Sequence, residues 1–238
     1  MINKIAASVA EALADVKDGS TVLVGGFGTA GLPNELVDGP IEQGATDLTI
    51  VCNNAGNGDH GIAALLKAGR VRKVICSFPR QADSYVFDEL YRAKKVELEL
   101  VPQGNLAERM RAAGAGVGAF FTPTGYGTEL ALNADGSPKE TRRINGRDYV
   151  LEYTIHGDVA LVKAERGDRW GNLNYRMAAR NFGPVVAMAA RFTVASVHEV
   201  VELGQLDPES VVTPGIFVSK IVKVPRQATM AGGFKAAA

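Results

Sequence analysis

What the 238-residue chain lacks narrows its chemistry first. It has no excess charge, since 26 Lys+Arg face 26 Asp+Glu. Nucleic acid as the main partner would need a cationic surplus on one face. It has no long apolar run: the longest, residues 184–190, falls far short of the ~20 residues a bilayer requires. No membrane or nucleic-acid partner is therefore expected. Two cysteines, Cys52 and Cys76, are too few for a disulfide framework, and a reducing cytoplasm is the expected compartment. The three histidines, His60, His156 and His198, lack any paired ligand spacing, so no metal site is expected. Repeats, linkers and low-complexity tracts are missing too. The N-terminus carries Lys4, Glu11 and Asp15 among its apolar residues, unlike the apolar core of a signal peptide.

What is present is the composition of a globular protein, 46% apolar and 22% charged. A single domain over residues 1–238 is expected. Apolar residues from Ile5 to Val16 recur at helical spacing behind Asn3, a candidate N-cap. Runs rich in Val, Ile and Leu at 21–24, 48–52, 71–76 and 96–101 read as strands. Helical patterns separate them at 61–68, 82–93 and 105–113. This alternation predicts an α/β fold: a mostly parallel open sheet with helices on both faces. Later, Asn145-Gly146 between strand-like runs 140–144 and 148–153 predicts an antiparallel hairpin addition. A strand at 158–164, turn residues at 166–172, a helix at 183–190, a strand at 192–197 and another running to Val224 complete the reading. Residues 231–238 read as a frayed tail.

The most informative segment is DGSTVLVGGFGTAGLP, residues 18–33. Its GFGTAG satisfies the dinucleotide pattern GxGxxG between a strand and a helix. That reading also wants an acid at the end of the next strand to hold a ribose. Here that strand ends in Asn53-Asn54, with no carboxylate, which speaks against a dehydrogenase. A tight turn and an anion or thioester site remain. Glycines let a ligand reach main-chain N–H groups, and Pro33 in the first helical turn would leave donors open to the loop.

The same segment resembles the signature of the family I coenzyme A transferases: Asp-Gly, two residues, three apolar residues, Gly-Gly-Phe, three residues, Gly, one residue, Pro. Residues 101–130 (VPQGNLAERMRAAGAGVGAFFTPTGYGTEL), 166–184 (RGDRWGNLNYRMAARNFGP) and 211–222 (VVTPGIFVSKIV) are similar to later blocks of that family. The family's nucleophile is a glutamate in a Glu-Asn-Gly-type motif on its second subunit. This chain contains no Glu-Asn pair. The resemblance is thus to the A (alpha) subunit, with no catalytic nucleophile in this chain and a B (beta) partner supplying it, in an α2β2 heterotetramer. Glu129 or Glu202 as nucleophile has little to single it out. The implied reaction moves coenzyme A from succinyl-CoA to a 3-oxoacid through a glutamyl-CoA thioester. The CoA thioester is the substrate, and no tightly bound cofactor is needed.

Candidate site residues follow. By resemblance, Gly25, Gly26, Phe27, Gly28, Thr29, Ala30 and Gly31 contact coenzyme A through the main chain. Asn53 and Asn54 end a strand where open α/β folds bind ligands. Gln103 follows another strand end, where an amide could bind a carboxylate or a thioester oxygen, or simply cap a helix. Arg80 lies in CSFPRQADSYVF, residues 76–87, which resembles the 3-oxoadipate-using members more than the acetoacetate-using ones. Its guanidinium could hold the distal carboxylate of 3-oxoadipate, which makes that acid the favoured acceptor. An acetate- or acetoacetate-type transferase and a non-catalytic CoA-binding module are the alternatives.

Overall fold

The computed structural model describes residues 2–226. The tail read at 231–238 lies outside them. In chain order the elements are β1 (Ile5–Ala6), α1 (Val9–Ala12), β2 (Thr21–Val24), α2 (Asn34–Gln43), β3 (Leu48–Asn54), α3 (Ile62–Lys67), β4 (Val71–Phe78), α4 (Tyr85–Arg92), β5 (Glu97–Leu100) and α5 (Gln103–Gly114). There follow β6 (Ala119–Thr122), β7 (Thr141–Ile144), β8 (Arg147–Tyr153), β9 (Gly157–Asp168), β10 (Leu173–Asn174), α6 (Gly183–Ala189), β11 (Ala190–Val201) and β12 (Lys220–Lys223).

Among the described residues a nine-stranded sheet runs in the order β1-β12-β11-β9-β2-β3-β4-β5, with β10 antiparallel on β9. All the other pairings in it are parallel. Period-two alternation splits each central strand between two cores. Val22 and Val24 of β2 face one side with residues of α2 and α3, Leu36 and Leu65 among them; Leu23 faces the other with Leu106 and Met110 of α5 and Val186 of α6. Both faces are therefore covered, as a parallel sheet requires. The second sheet, β6-β8-β7, is antiparallel. Its Asn145-Gly146 turn has φ of +48° and +79°, the backbone of a type I′ hairpin.

A relay of ion pairs fastens the small sheet to the large one. Lys139 Nζ lies 2.8 Å from Glu152 of β8, and Glu152 lies 3.9 Å from Arg109 of α5. Arg109 is 2.9 Å from Glu99 of β5, which is 2.6 Å from Lys73 of β4. Burial pushes the Glu99 carboxyl up, but the hydrogen bonds from Lys73 and Arg109 outweigh it and hold the group below its usual range.

Three readings need correction. The N-terminal helix is a single turn, capped by Ser8 rather than Asn3, because Ile5 and Ala6 pair with Ile221 and Val222 as an edge strand. That pairing lies some two hundred residues away and leaves no local trace. Second, β9 does not yield to turn residues at Arg166 but continues through Asp168, held by β11 on one side and β10 on the other. Third, Pro33 occupies the N-cap position of α2; its carbonyl accepts from Leu36 and Val37 N–H at 3.0 and 2.9 Å.

Candidate functional site

Chain direction places the site. From β2 the chain moves through α2 to β3 on one side; from β9 it moves through α6 to β11 on the other. Such a reversal opens a crevice beyond the carboxyl ends of the strands, where open α/β sheets bind ligands. The loop 25–31 leaves β2 at this point. Asn53 and Asn54 end β3, Arg80 follows β4, and Gln103 opens α5 after β5. The fold thus brings every sequence-predicted site residue to one edge of one sheet.

The glycine loop is a miniature hairpin. Phe27 and Ala30 exchange both main-chain hydrogen bonds, at 2.9 and 3.0 Å, around Gly28-Thr29. Gly28 has φ +59°, the first position of a II′-type turn, where a β-carbon is unfavourable. Gly31 is demanded by packing as well as by φ +72°, since a β-carbon there would run into the carbonyl of Ala179. Four of the seven loop N–H groups are spent internally. Gly25 donates to Leu161, Gly26 to the Asn181 side chain, and Phe27 and Ala30 to each other. Gly28, Thr29 and Gly31 donate to no acceptor among the described residues. The open donors therefore sit at the hairpin tip and at Gly31, rather than along the whole loop.

The two asparagines part company, because successive strand residues face opposite ways. Asn53 is buried and its Nδ2 donates to Ser77 Oγ on β4 at 2.8 Å, with Ser77 Oγ donating back to the Asn53 carbonyl. Asn54 faces the glycine loop: its Oδ1 accepts from Gly56 N–H at 2.9 Å and its Nδ2 approaches the Gly28 carbonyl at 3.5 Å. Gln103 is the exposed first residue of α5. The loop 123–128 lies beside it, since Asn105 of α5 reaches the Thr124 carbonyl. Arg80 is half-exposed and already engaged, with Nε 2.6 Å from Asp88 Oδ1 on α4. A substrate carboxylate at Arg80 would compete with, or add to, that partner.

Exposed apolar side chains gather on the same edge. Phe27 and Phe78 keep about half or more of their surface in solvent. Cys52 and Cys76 stand opposite each other on β3 and β4, both buried. Burial carries the Cys52 thiol far up and the Cys76 thiol to about 12, so both are packing groups.

Sequence reasoning passes over two groups. Asn181 hydrogen-bonds the glycine loop, and its only signal is membership of the block at 166–184. Gln81 brings its amide near Gly28. A cavity of about 580 Å³ lies elsewhere, between β5 and the small sheet. Its Lys73, Glu99, Arg109, Lys139 and Glu152 are already engaged with one another in the relay of ion pairs. Among the described residues no helix is long and apolar enough to cross a membrane, and no group of three or more His, Cys, Asp or Glu could hold a metal ion.

Comparison with known proteins bears on family and fold. The sequence profile described as Coenzyme A transferase matches residues 6–224. The chain is 67% identical over 224 residues to the A subunit of 3-oxoadipate CoA-transferase from Pseudomonas putida, covering 94% of this chain and 95% of that one. It is 45% identical over 240 residues to the A subunit of a probable succinyl-CoA:3-ketoacid coenzyme A transferase from Mycobacterium tuberculosis, covering 95% and 96%. Its fold is similar to the crystal structure of the acyl-CoA transferase YdiF apoenzyme from Escherichia coli O157:H7, with a TM-score of 0.82 at 23% identity. That match covers 97% of this chain but 48% of the YdiF chain, so this chain spans about half its length.

Proposed function

The chain belongs to the coenzyme A transferase family, and from that we propose that it is the A subunit of a succinyl-CoA:3-oxoacid CoA-transferase with 3-oxoadipate as acceptor. The observation that carries the acceptor is the gap between 67% identity to a 3-oxoadipate transferase and 45% to a 3-ketoacid one. The absence of a Glu-Asn pair supports the division of labour. So does the greater length of the YdiF chain, which leaves room for a second half-site. The working unit is a pair with a B subunit, joined as α2β2 and acting in the cytoplasm on CoA thioesters, with no tightly bound cofactor. Because both cores share one sheet, the chain is read as a single domain.

The cycle is ping-pong. The partner's glutamate attacks the succinyl-CoA carbonyl and expels CoA thiolate, forming a mixed anhydride. The thiolate attacks the glutamyl carbonyl, releasing succinate and leaving glutamyl-CoA. The carboxylate of the 3-oxoacid then attacks that thioester, and the sequence reverses to release the new acyl-CoA. This chain contributes the edge that receives the substrate. In this reading the open N–H groups of Gly28 and Thr29 hold a thioester or carboxylate oxygen. The exposed Phe27 and Phe78 keep water from the anhydride once the partner closes over them. Arg80 meets the distal carboxylate of the acceptor.

The test is succinyl-CoA consumption with 3-oxoadipate or acetoacetate, using this chain alone and with its B partner. Turnover in the mixture with preference for 3-oxoadipate is expected. Replacing Arg80 by Met should weaken 3-oxoadipate selectively; an equal effect on both acceptors removes Arg80 from the reading.

A further inference from the structure

The glycine loop closes its own tip through the Phe27–Ala30 hairpin bonds, and one side chain from a distant segment fastens its base. Asn181 uses its whole carboxamide. Oδ1 accepts from Gly26 N–H at 3.1 Å and from Phe182 N–H at 2.6 Å. Nδ2 donates to the Ala30 carbonyl at 2.9 Å and to the Ala178 carbonyl at 2.6 Å. One member of each pair belongs to the loop and the other to the turn that carries Asn181. The side chain is a rivet between segments 151 and 155 positions apart.

Packing supports the same joint. Gly31 abuts the Ala179 carbonyl, and a β-carbon on Gly25 would stand 3.4 Å from the Cα of Gly183. The segment that holds Asn181 also starts under strain. Met177 has φ +50° and is 81% exposed, a conformation and an environment that a long apolar residue rarely takes together.

We propose that Asn181 is a positioning residue for the transferase reaction. Its carboxamide fixes Gly26 and Ala30, and through them the open N–H groups of Gly28 and Thr29, against the acyl-CoA. This rests on the reading that the loop 25–31 contacts the thioester substrate. The chemistry of the joint is specific to an amide. An aspartate keeps both acceptor bonds but turns a carboxylate oxygen toward two carbonyls, whereas alanine removes all four bonds.

The assembled enzyme, mixed with succinyl-CoA without acceptor, should form glutamyl-CoA thioester and free succinate in a single turnover. Rapid quench gives the rate and mass spectrometry the final amount. Both Asn181→Asp and Asn181→Ala are expected to reach the wild-type amount, about 30- to 100-fold more slowly, the scale of a misplacement near 1 Å. Asp should be no faster than Ala. A wild-type rate in Asn181→Asp overturns the proposal. So does a reduced amount formed at the wild-type rate, or failure of both variants to pair with the partner, since either marks a purely structural residue. If the wild-type enzyme forms no thioester, the functional reading itself falls, and this inference with it.

Discussion

At the scale of single residues, the same residue type does different work according to the strand face it occupies. Asn53 and Asn54 are neighbours in sequence, yet one ties β3 to β4 and the other closes a turn beside the glycine loop. Sequence alone gives the strand end but not which face carries the crevice. Arg80 is legible as a cation near the site, whereas its pairing with Asp88 is not, because that contact depends on how the loop 79–84 turns into α4. Asn181 escapes notice because its partners lie far away in sequence. The buried thiols yield a direct prediction. With Cys52 pushed far up and Cys76 to about 12, neither reacts quickly with a thiol reagent at pH 8 in the native protein, and both react on unfolding. A fast-reacting native thiol would contradict their burial. Glu99 gives another. Its carboxyl is held below its usual 4.5, so its stabilising effect is complete above that value and disappears as pH falls through the lower folded value. Glu99→Gln should cost about 1–3 kcal/mol near neutrality by leaving Lys73 and Arg109 short of a partner. The gap between mutant and wild-type melting temperatures should narrow as pH falls below 4.5 and through the lower folded value. A gap independent of pH would assign the loss to packing.

At the scale of elements, what rests on local chemistry is legible in the sequence and what rests on distant pairing is not. Thr21–Val24 matches its expected bounds to the residue because an apolar run ends in glycines. The hairpin matches because Asn-Gly is suited to two consecutive positive φ angles. By contrast, β1 consists of two residues whose only reason to be extended is β12. The continuation of β9 through Glu165, Arg166 and Gly167 runs against their turn-like composition and is enforced by flanking strands. The hairpin carries its own test. Gly146→Val should destabilise the small sheet by about 1–2 kcal/mol, because a β-branched residue at φ +79° clashes with its own backbone. Hydrogen exchange should show the loss confined to β7 and β8. Loss of protection across the large sheet would mean that the two sheets unfold as one unit.

At the scale of the whole molecule, the parallel sheet gathers the ends of four successive strands along one edge, and the reversal between β2 and β9 opens that edge beside the glycine loop. This much is legible from the alternation of strands and helices. The bracing of the loop from the segment before α6 is not, because it arises from tertiary contact alone. The edge offers open N–H groups, amides and exposed aromatic surface, and the chain lacks the family's nucleophile motif. On the proposed reading it is half of a site. The most direct measurement is CoA transfer from succinyl-CoA to 3-oxoadipate by this chain alone, by its B partner alone and by the mixture. Transfer in the mixture only is the predicted result. Transfer by this chain alone would place a working nucleophile within it and contradict the half-site reading.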